Sequence, residues 1–221
     1  VVGTHCTGLD TLLAPLTRAG LSIEVLAVGS RGGLEAARQG ACDVAPIHLQ
    51  DRTSGVYNTP FVEEGMRLLP GYGRRQGLVF RPEIEPRLGE TADPAMALRR
   101  AAADPALRIA NRNPGSGTRA LVEDLLAGTL ARLDARPPGW ATTYRSHCAV
   151  AAAIAQHRAD YGVCLEQTAR EEGLAWRELG TERYDFLVPE ARWERTGVRA
   201  FRRALADPAV RAALRREGFD A

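Results

Sequence analysis

The chain contains no lysine, and all 29 of its basic residues are arginine. Its 27 acidic residues leave a formal net charge of +2, which is too small for a surface that binds nucleic acid or an anionic membrane. Long hydrophobic runs are also missing, since no apolar stretch approaches the ~20 residues that cross a bilayer. We therefore expect neither direct nucleic-acid contact by this segment nor membrane insertion.

Cysteine is scarce, with four residues far apart in the chain: Cys6, Cys42, Cys148 and Cys164. Without a CxxC pair, a structural zinc site is not expected, and isolated thiols favour a reducing compartment, although a disulfide stays open. The cysteine spacing therefore predicts no metal, and since no Walker or dinucleotide fingerprint is present, we expect no cofactor. The chain begins in a strand without a leader, which predicts a mature or excised domain, cytoplasmic as the first choice and periplasmic as the alternative.

The rest of the composition is that of an ordinary globular chain, with 221 residues, 45% hydrophobic and 25% charged. Strand-like and helix-like segments alternate along it, which predicts an α/β fold with mainly parallel sheets. The predicted strands include residues 21–28, 77–81, 107–110, 161–165 and 184–188. The predicted helices include residues 34–39, 95–103, 148–156, 198–205 and 208–216.

Two small polar turns stand between a strand-like run and a helix. One contains Ser116, Gly117 and Thr118, and the other contains Thr4 and His5. The first N–H groups of a helix have no partner inside it, and together with the helix dipole they attract an anion. Hydroxyl groups add donors, so two such turns would form a receptor for a small oxyanion. The alternative for each turn is a serine or threonine that only caps its helix.

A second pattern also occurs twice: a serine, an apolar helix, an aspartate and a buried strand. Ser30 lies 13 positions before Asp43, and Ser146 lies 14 positions before Asp160. The repetition predicts two similar lobes, one with residues 1–77 and 184–221 and the other with residues 78–183. Ligands of such folds bind where strands end and helices begin.

In this order of motifs the chain resembles a type II periplasmic-binding-protein domain. More narrowly, it resembles the binding-protein-like domain that is fused behind a helix-turn-helix in bacterial regulators and is sometimes attached to molybdenum-cofactor proteins. The matching segments are Gly3-Thr4-His5, Val28-Gly29-Ser30, Asp43-Val44-Ala45, Tyr57-Asn58-Thr59-Pro60, Arg75-Gln76-Gly77, Gly115-Ser116-Gly117-Thr118-Arg119, Ser146-His147 and Arg183-Tyr184-Asp185.

The resemblance implies a two-lobed α/β fold with two mixed, mostly parallel sheets joined by two crossover strands. The chain is also similar to tungstate- and molybdate-binding proteins, in which hydroxyl and backbone N–H groups from both lobes hold a tetrahedral oxyanion. In the tungstate type an arginine four positions before the serine contributes, and Arg112 has that place before Ser116. The first loop departs from the pattern, because Thr4, His5, Cys6 and Thr7 replace a run of threonines. The implied partners are molybdate or tungstate, a helix-turn-helix domain and, as a homodimer, a second copy.

The ligand-binding candidates are Thr4, His5, Ser30, Arg112, Ser116, Gly117, Thr118 and Tyr184. We favour Arg112 over Arg119, which we expect to point to solvent from the helix. Tyr184 is a candidate through its place in a crossover strand, with a core role as the alternative. His48 and His147 are either cleft residues or structural histidines.

Catalysis is not expected. Gly115-Ser116-Gly117 lacks the spacing of a GxSxG nucleophile elbow, and the neighbours His5 and Cys6 show no carboxylate partner in the sequence. Three contexts stay open: the effector domain of a transcriptional regulator, the solute receptor of an oxyanion ABC transporter, and a module of molybdenum-cofactor metabolism.

Overall fold

The computed structural model describes residues 1–51, 53–133 and 135–221. The α/β fold is confirmed. The elements of the first part of the chain are β1 Val2–Gly3, α1 Thr7–Arg18, β2 Leu26–Ala27, α2 Gly29–Arg38, β3 Ala45–Ile47 and β4 Met66–Phe80. Then come α3 Glu85–Leu88, α4 Pro94–Ala103, β5 Ile109–Arg112, α5 Gly117–Leu130, β6 Thr143–Tyr144, α6 His147–Ala155, β7 Tyr161–Leu165 and α7 Glu166–Glu171. The chain closes with β8 Ala175–Pro189, α8 Thr196–Ala206, α9 Pro208–Arg216 and β9 Phe219–Asp220.

The chain forms two compact units. Unit 1 consists of Val1–Arg74 and Glu182–Ala221. In it β3 pairs antiparallel with β8, β9 pairs antiparallel with β4, and β1 and β2 form a separate parallel pair. Leucines of α1 and apolar residues of α8 and α9 pack against aromatic side chains of β4 and β8 to form its core.

Unit 2 consists of Arg75–Thr181. Its strands lie in the order β4, β7, β5, β6, with β7 antiparallel to β4, and with β5 parallel to both β7 and β6. Two apolar clusters lie around this sheet, one with α4 and α5 and the other with α6. That the two units act as lobes that close on a ligand stays a prediction.

The two crossover strands are confirmed and are longer than their apolar runs. β4 and β8 have 15 residues each, and each passes from one unit into the other. The sequence indicated only their apolar parts, because Arg74 and Glu182 interrupt the hydrophobic pattern. These two side chains are 1% exposed and form an ion pair with each other, so their charges are compatible with a buried strand.

The prediction for residues 21–28 is wrong in most of its length, since only Leu26–Ala27 are in a strand. Helix α2 begins at Gly29, five residues before its predicted start. Its glycines indicated a turn, but Gly33 lies inside the helix, where a Cβ atom would stand 2.8 Å from the Cα of Gly3. The missing side chain therefore lets α2 pack directly on β1.

Across the described ranges the longest helix, α5, has 14 residues, and no helix combines the length and apolarity of a membrane span.

Candidate functional site

Each unit contains two parallel strands that lead into two helices. In unit 1, β1 precedes α1 and β2 precedes α2, while in unit 2, β5 precedes α5 and β6 precedes α6. Parallel neighbours end at the same edge of a sheet, so the helices that follow begin side by side. The predicted ligand residues other than Tyr184 lie at or beside the starts of α1, α2 and α5.

In unit 2, Ser116 is the N-cap of α5, because its Oγ accepts a hydrogen bond from the N–H of Arg119 at 3.2 Å. The helical ladder begins with the N–H of Ala120, which donates to the carbonyl of Ser116 at 3.1 Å. The N–H groups of Gly117 and Thr118 precede that ladder and carry the partial positive charge of the helix start. Ser116 is therefore a cap whose hydroxyl hydrogen remains a donor.

Arg112 ends β5 beside this helix start. Its Nε donates to the carbonyl of Tyr144 at 3.2 Å and its Nη2 donates to the carbonyl of Arg145 at 3.1 Å. The two bonds fix the guanidinium at the end of the β5 and β6 pair. Arg112, which we favoured over Arg119 as a ligand contact, is thus held in place by backbone carbonyls at the end of the neighbouring strand.

Two predictions about this turn are corrected. The hydroxyl of Thr118 is buried and donates to Oε1 of Gln76 at 2.7 Å, so it contributes its N–H to the helix start but not its O–H. Arg119 does not point to solvent, since it is 8% exposed and its guanidinium lies 4.4 Å from the ring of Trp140. Its Nε donates to Glu123 at 2.7 Å.

Ser146 belongs to the same edge and was not among the candidates. It caps α6 as Ser116 caps α5, with its Oγ accepting from the N–H of Ala149 at 3.0 Å. Cys148 follows it as the second residue of α6 and is exposed. The repeated pattern that pairs Ser146 with Ser30 was the signal that could have identified it. We define the unit-2 half-site as Arg112, Ser116, Gly117, Thr118 and Ser146.

The unit-1 half-site consists of Thr4, His5 and Ser30. The N-cap residues of α1 and α2 are Cys6 and Val28, and neither makes a side-chain capping bond to its helix. Ser30 lies in the first turn of α2 rather than at a strand end, and it is 8% exposed. Its Oγ is 3.0 Å from Nδ1 of His48 and accepts the backbone N–H of His48 at 3.1 Å.

His5 has a carboxylate partner, contrary to the expectation from sequence. Its Nε2 lies 2.9 Å from Oδ1 of Asp10, one turn into α1. Cys6 turns the other way, with its Sγ 3.3 Å from the hydroxyl of Tyr72. The carboxylate of Asp10 thus contacts the imidazole of His5, whereas Ser30 contacts a different imidazole, that of His48.

Tyr184 is fully buried and supports the half-site from behind. Its hydroxyl donates to the carbonyl of Thr4 at 2.6 Å, and burial raises its pKa, so the hydroxyl stays a neutral donor. The ring stacks on Tyr72 with centroids 5.1 Å apart, and the guanidinium of Arg74 lies 4.6 Å from the ring centroid. In the structure Tyr184 is a core residue, which was the alternative to ligand contact, and its hydroxyl holds the carbonyl of Thr4.

Replacing Tyr184 with phenylalanine should lower the free energy of unfolding by about 1 kcal/mol, because the carbonyl of Thr4 loses its donor. Urea denaturation measures this. Tyr161→Phe is the matched control, because the buried Tyr161 hydroxyl has no hydrogen-bond partner in the described structure. Removal of an unpartnered hydroxyl should leave stability equal or slightly higher, and an equal loss in both variants would remove the assigned role of Tyr184.

Both half-sites consist mainly of groups that can donate hydrogen bonds. The described residues contain no group of three or more histidine, cysteine, aspartate or glutamate side chains that could hold a metal ion. Hydroxyls, helix N–H groups and a guanidinium are the groups that bind small anions.

Two units with paired helix starts, connected by two long strands, define an α/β ligand-binding domain of the two-lobed type. Residues 13–206 match the family model described as a PBP superfamily domain. The chain therefore belongs to the PBP superfamily, which confirms the resemblance to periplasmic binding proteins.

A relative with sequence similarity is the Bacillus subtilis (strain 168) protein described as uncharacterized protein YvgK. It is 30% identical over 165 residues, which cover 72% of this chain and 51% of that protein. The chain thus spans about half the length of this curated relative.

Solved structures share the fold at low sequence identity. A putative phosphate ABC transporter substrate-binding protein from Clostridium perfringens, with bound phosphate, has a TM-score of 0.68 at 10% identity and covers 99% of this chain and 97% of that one. The tungstate ABC transporter structure from Geobacter sulfurreducens has a TM-score of 0.64 at 16% identity, with 95% and 94% covered. The regulatory domain of MetR, a LysR family regulator from N. meningitidis, has a TM-score of 0.59 at 12% identity, with 96% and 93% covered.

Proposed function

We propose that this domain senses a small tetrahedral oxyanion, with molybdate or tungstate as the first choice. The observation that carries the proposal is the duplicated arrangement of helix starts at paired strand ends. In unit 2 this arrangement includes Arg112, which is held by the carbonyls of Tyr144 and Arg145. Each charge-assisted hydrogen bond contributes roughly 1.5–3 kcal/mol, so a few of them give micromolar affinity.

The choice of molybdate or tungstate is supported by the place of Arg112 four residues before Ser116 and by the likeness to the tungstate transporter structure. The phosphate-binding structure supports an oxyanion equally well. A thermal-shift screen of the purified domain against molybdate, tungstate, sulfate, phosphate and small carboxylates tests the proposal. We expect stabilisation by molybdate or tungstate. Stabilisation by phosphate alone would change the ligand, and no shift with any inorganic anion would contradict an oxyanion receptor.

We further propose that the domain is the effector part of a bacterial transcriptional regulator, with a fused or partner helix-turn-helix domain and a homodimeric state. The likeness to the MetR regulatory domain supports this context. All four cysteines are free thiols, which supports a reducing, cytoplasmic compartment. A molybdate-dependent change in DNA binding by the full-length protein is the test.

The second candidate is the solute receptor of an ABC transporter, favoured by coverage of nearly the whole length of the tungstate and phosphate structures. A signal sequence in the full gene would favour it. We propose binding without turnover in both cases. Conversion of a molybdopterin-like substrate by the purified domain would instead indicate the third context, a module of molybdenum-cofactor metabolism.

Ser116→Ala should weaken molybdate binding about tenfold while lowering the free energy of unfolding by only about 1 kcal/mol, the usual loss for a cap. Asp93→Ala is the matched control, because Asp93 caps α4 in the same unit by accepting the N–H of Ala95 at 2.9 Å. Both variants should lose similar stability, but only Ser116→Ala should lose affinity. Equal affinity in the two variants, or a stability loss above about 2 kcal/mol for Ser116→Ala, would indicate a cap alone.

A further inference from the structure

Ser30, the serine of the unit-1 half-site, makes two hydrogen-bond contacts with the same histidine. Ser30 Oγ accepts the backbone N–H of His48 at 3.1 Å and lies 3.0 Å from the Nδ1 atom of the same residue. A hydroxyl has one hydrogen and two acceptor lone pairs. The backbone bond therefore occupies one lone pair, and the contact with Nδ1 decides what the hydroxyl offers to a ligand.

The contact has two forms, which differ in the position of one proton. If Nδ1 carries no proton, Ser30 donates its O–H to the ring and presents only a lone pair elsewhere. If Nδ1 carries the ring proton, it donates to Ser30, and the O–H turns outward. A lone pair repels an anion oxygen, whereas an outward O–H donates to it.

We propose that His48 is a specificity-determining residue: its ring carries the proton on Nδ1 when the anion is bound, so that Ser30 acts as a donor. This inference rests on the proposed function. It predicts selection for oxyanions that carry no proton at neutral pH, such as molybdate, because the opposite form would need a ligand that donates to Ser30.

The imidazole is held where it can perform this role. Its ring stacks on Tyr184 with centroids 6.3 Å apart and an interplanar angle of 14°. Tyr184 in turn donates to the carbonyl of Thr4. One buried tyrosine thus positions both the Thr4 loop and the ring that directs Ser30.

The test uses two side chains that place an atom near the position of Nδ1. Asparagine in His48→Asn can donate to Ser30, whereas aspartate in His48→Asp can only accept from it. Both remove the ring, so loss of stacking is common to the pair. We expect His48→Asn to bind molybdate within about threefold of the wild type and His48→Asp to bind at least about tenfold more weakly.

The negative charge of His48→Asp also repels the anion, and Ser30→Ala separates this effect. In the Ser30→Ala background the asparagine and aspartate variants should differ much less, because no hydroxyl remains to be directed. The change in their ratio between the two backgrounds measures the coupling.

Nitrogen-15 NMR of the imidazole rings measures the protonation of Nδ1 directly, and a purely structural role of His48 would not change this quantity when the anion binds. The chain has four histidines, and the signals lost in His48→Asn identify those of residue 48. With saturating molybdate, Nδ1 of His48 should show the chemical shift of a protonated nitrogen.

The outcomes distinguish the two proposals. Molybdate binding with an unprotonated Nδ1, or an unchanged ratio in the Ser30→Ala background, would overturn the role of His48 and leave the oxyanion receptor intact. Absence of binding by molybdate, tungstate, sulfate and phosphate to the wild type would overturn the receptor and this inference together.

Discussion

Replacing Arg74 with methionine is expected to lower the free energy of unfolding by about 3–5 kcal/mol, because it leaves a buried carboxylate without its partner. Arg74 and Glu182 are each 1% exposed and form an ion pair. Burial is the largest single influence and opposes the charge of Arg74, but Glu182 together with the nearby Cys6, Tyr72 and Tyr184 more than offsets it, so the pKa of the guanidinium is raised. The same substitution removes the cation that lies over the ring of Tyr184. Chemical denaturation of the two proteins measures the loss.

Two controls separate this pair from ordinary charges. Arg67→Met breaks an exposed pair with Glu190, where the side chains are 47% and 55% exposed, and should cost at most about 1 kcal/mol. The double variant Arg74→Met with Glu182→Leu should recover most of the stability, because two apolar side chains often replace a buried pair without loss. If Arg74→Met costs no more than Arg67→Met, the pair does not determine the stability of these strands.

Replacing Arg112 with glutamine is expected to weaken molybdate binding about 10–100-fold, since a charge-assisted contact of roughly 1.5–3 kcal/mol is lost. Glutamine keeps a donor but has neither the charge nor the planar fork that reaches the carbonyls of Tyr144 and Arg145. Isothermal titration calorimetry gives the affinity, and a melting curve without anion shows whether the strand ends have changed.

Arg108→Gln is the matched control. Arg108 is exposed and lies just before β5, so the substitution removes the same charge at the opposite end of the strand. We expect less than a twofold change in affinity, because exposed charges beyond about 10 Å are screened by salt. Equal losses in both variants would mean that the net charge of unit 2, rather than the guanidinium of Arg112, attracts the anion.

Elements with a local signal could be predicted from the sequence. The buried apolar run of β7 was predicted at 161–165 and is found there, and α9 at 208–216 follows Asp207, which caps it. The ends of β4 and β8 could not be predicted, because an arginine and a glutamate in a strand indicate a surface until the partner is known. Their pairing joins positions more than a hundred residues apart.

The residues of the candidate site likewise divide into those with a local sequence signal and those without one. Ser116 was identifiable because a cap depends on the three residues that follow it. The contacts of Thr118 with Gln76 and of Ser30 with His48 join segments that only the tertiary fold brings together. The direction of those two hydroxyls could therefore not be predicted from the sequence. The burial of Arg119 depended on Trp140, which lies in a loop without a periodic pattern.

The exposed thiol at the start of α6 makes the domain suited to site-specific labelling. Cys6, Cys42 and Cys164 are buried, and burial raises the pKa of the last two, so all three react slowly with thiol reagents. Cys148 is exposed and stands two residues after Ser146. An environment-sensitive dye coupled to the unaltered chain would therefore attach at one position, beside the unit-2 half-site, and would report anion occupancy as a change in fluorescence.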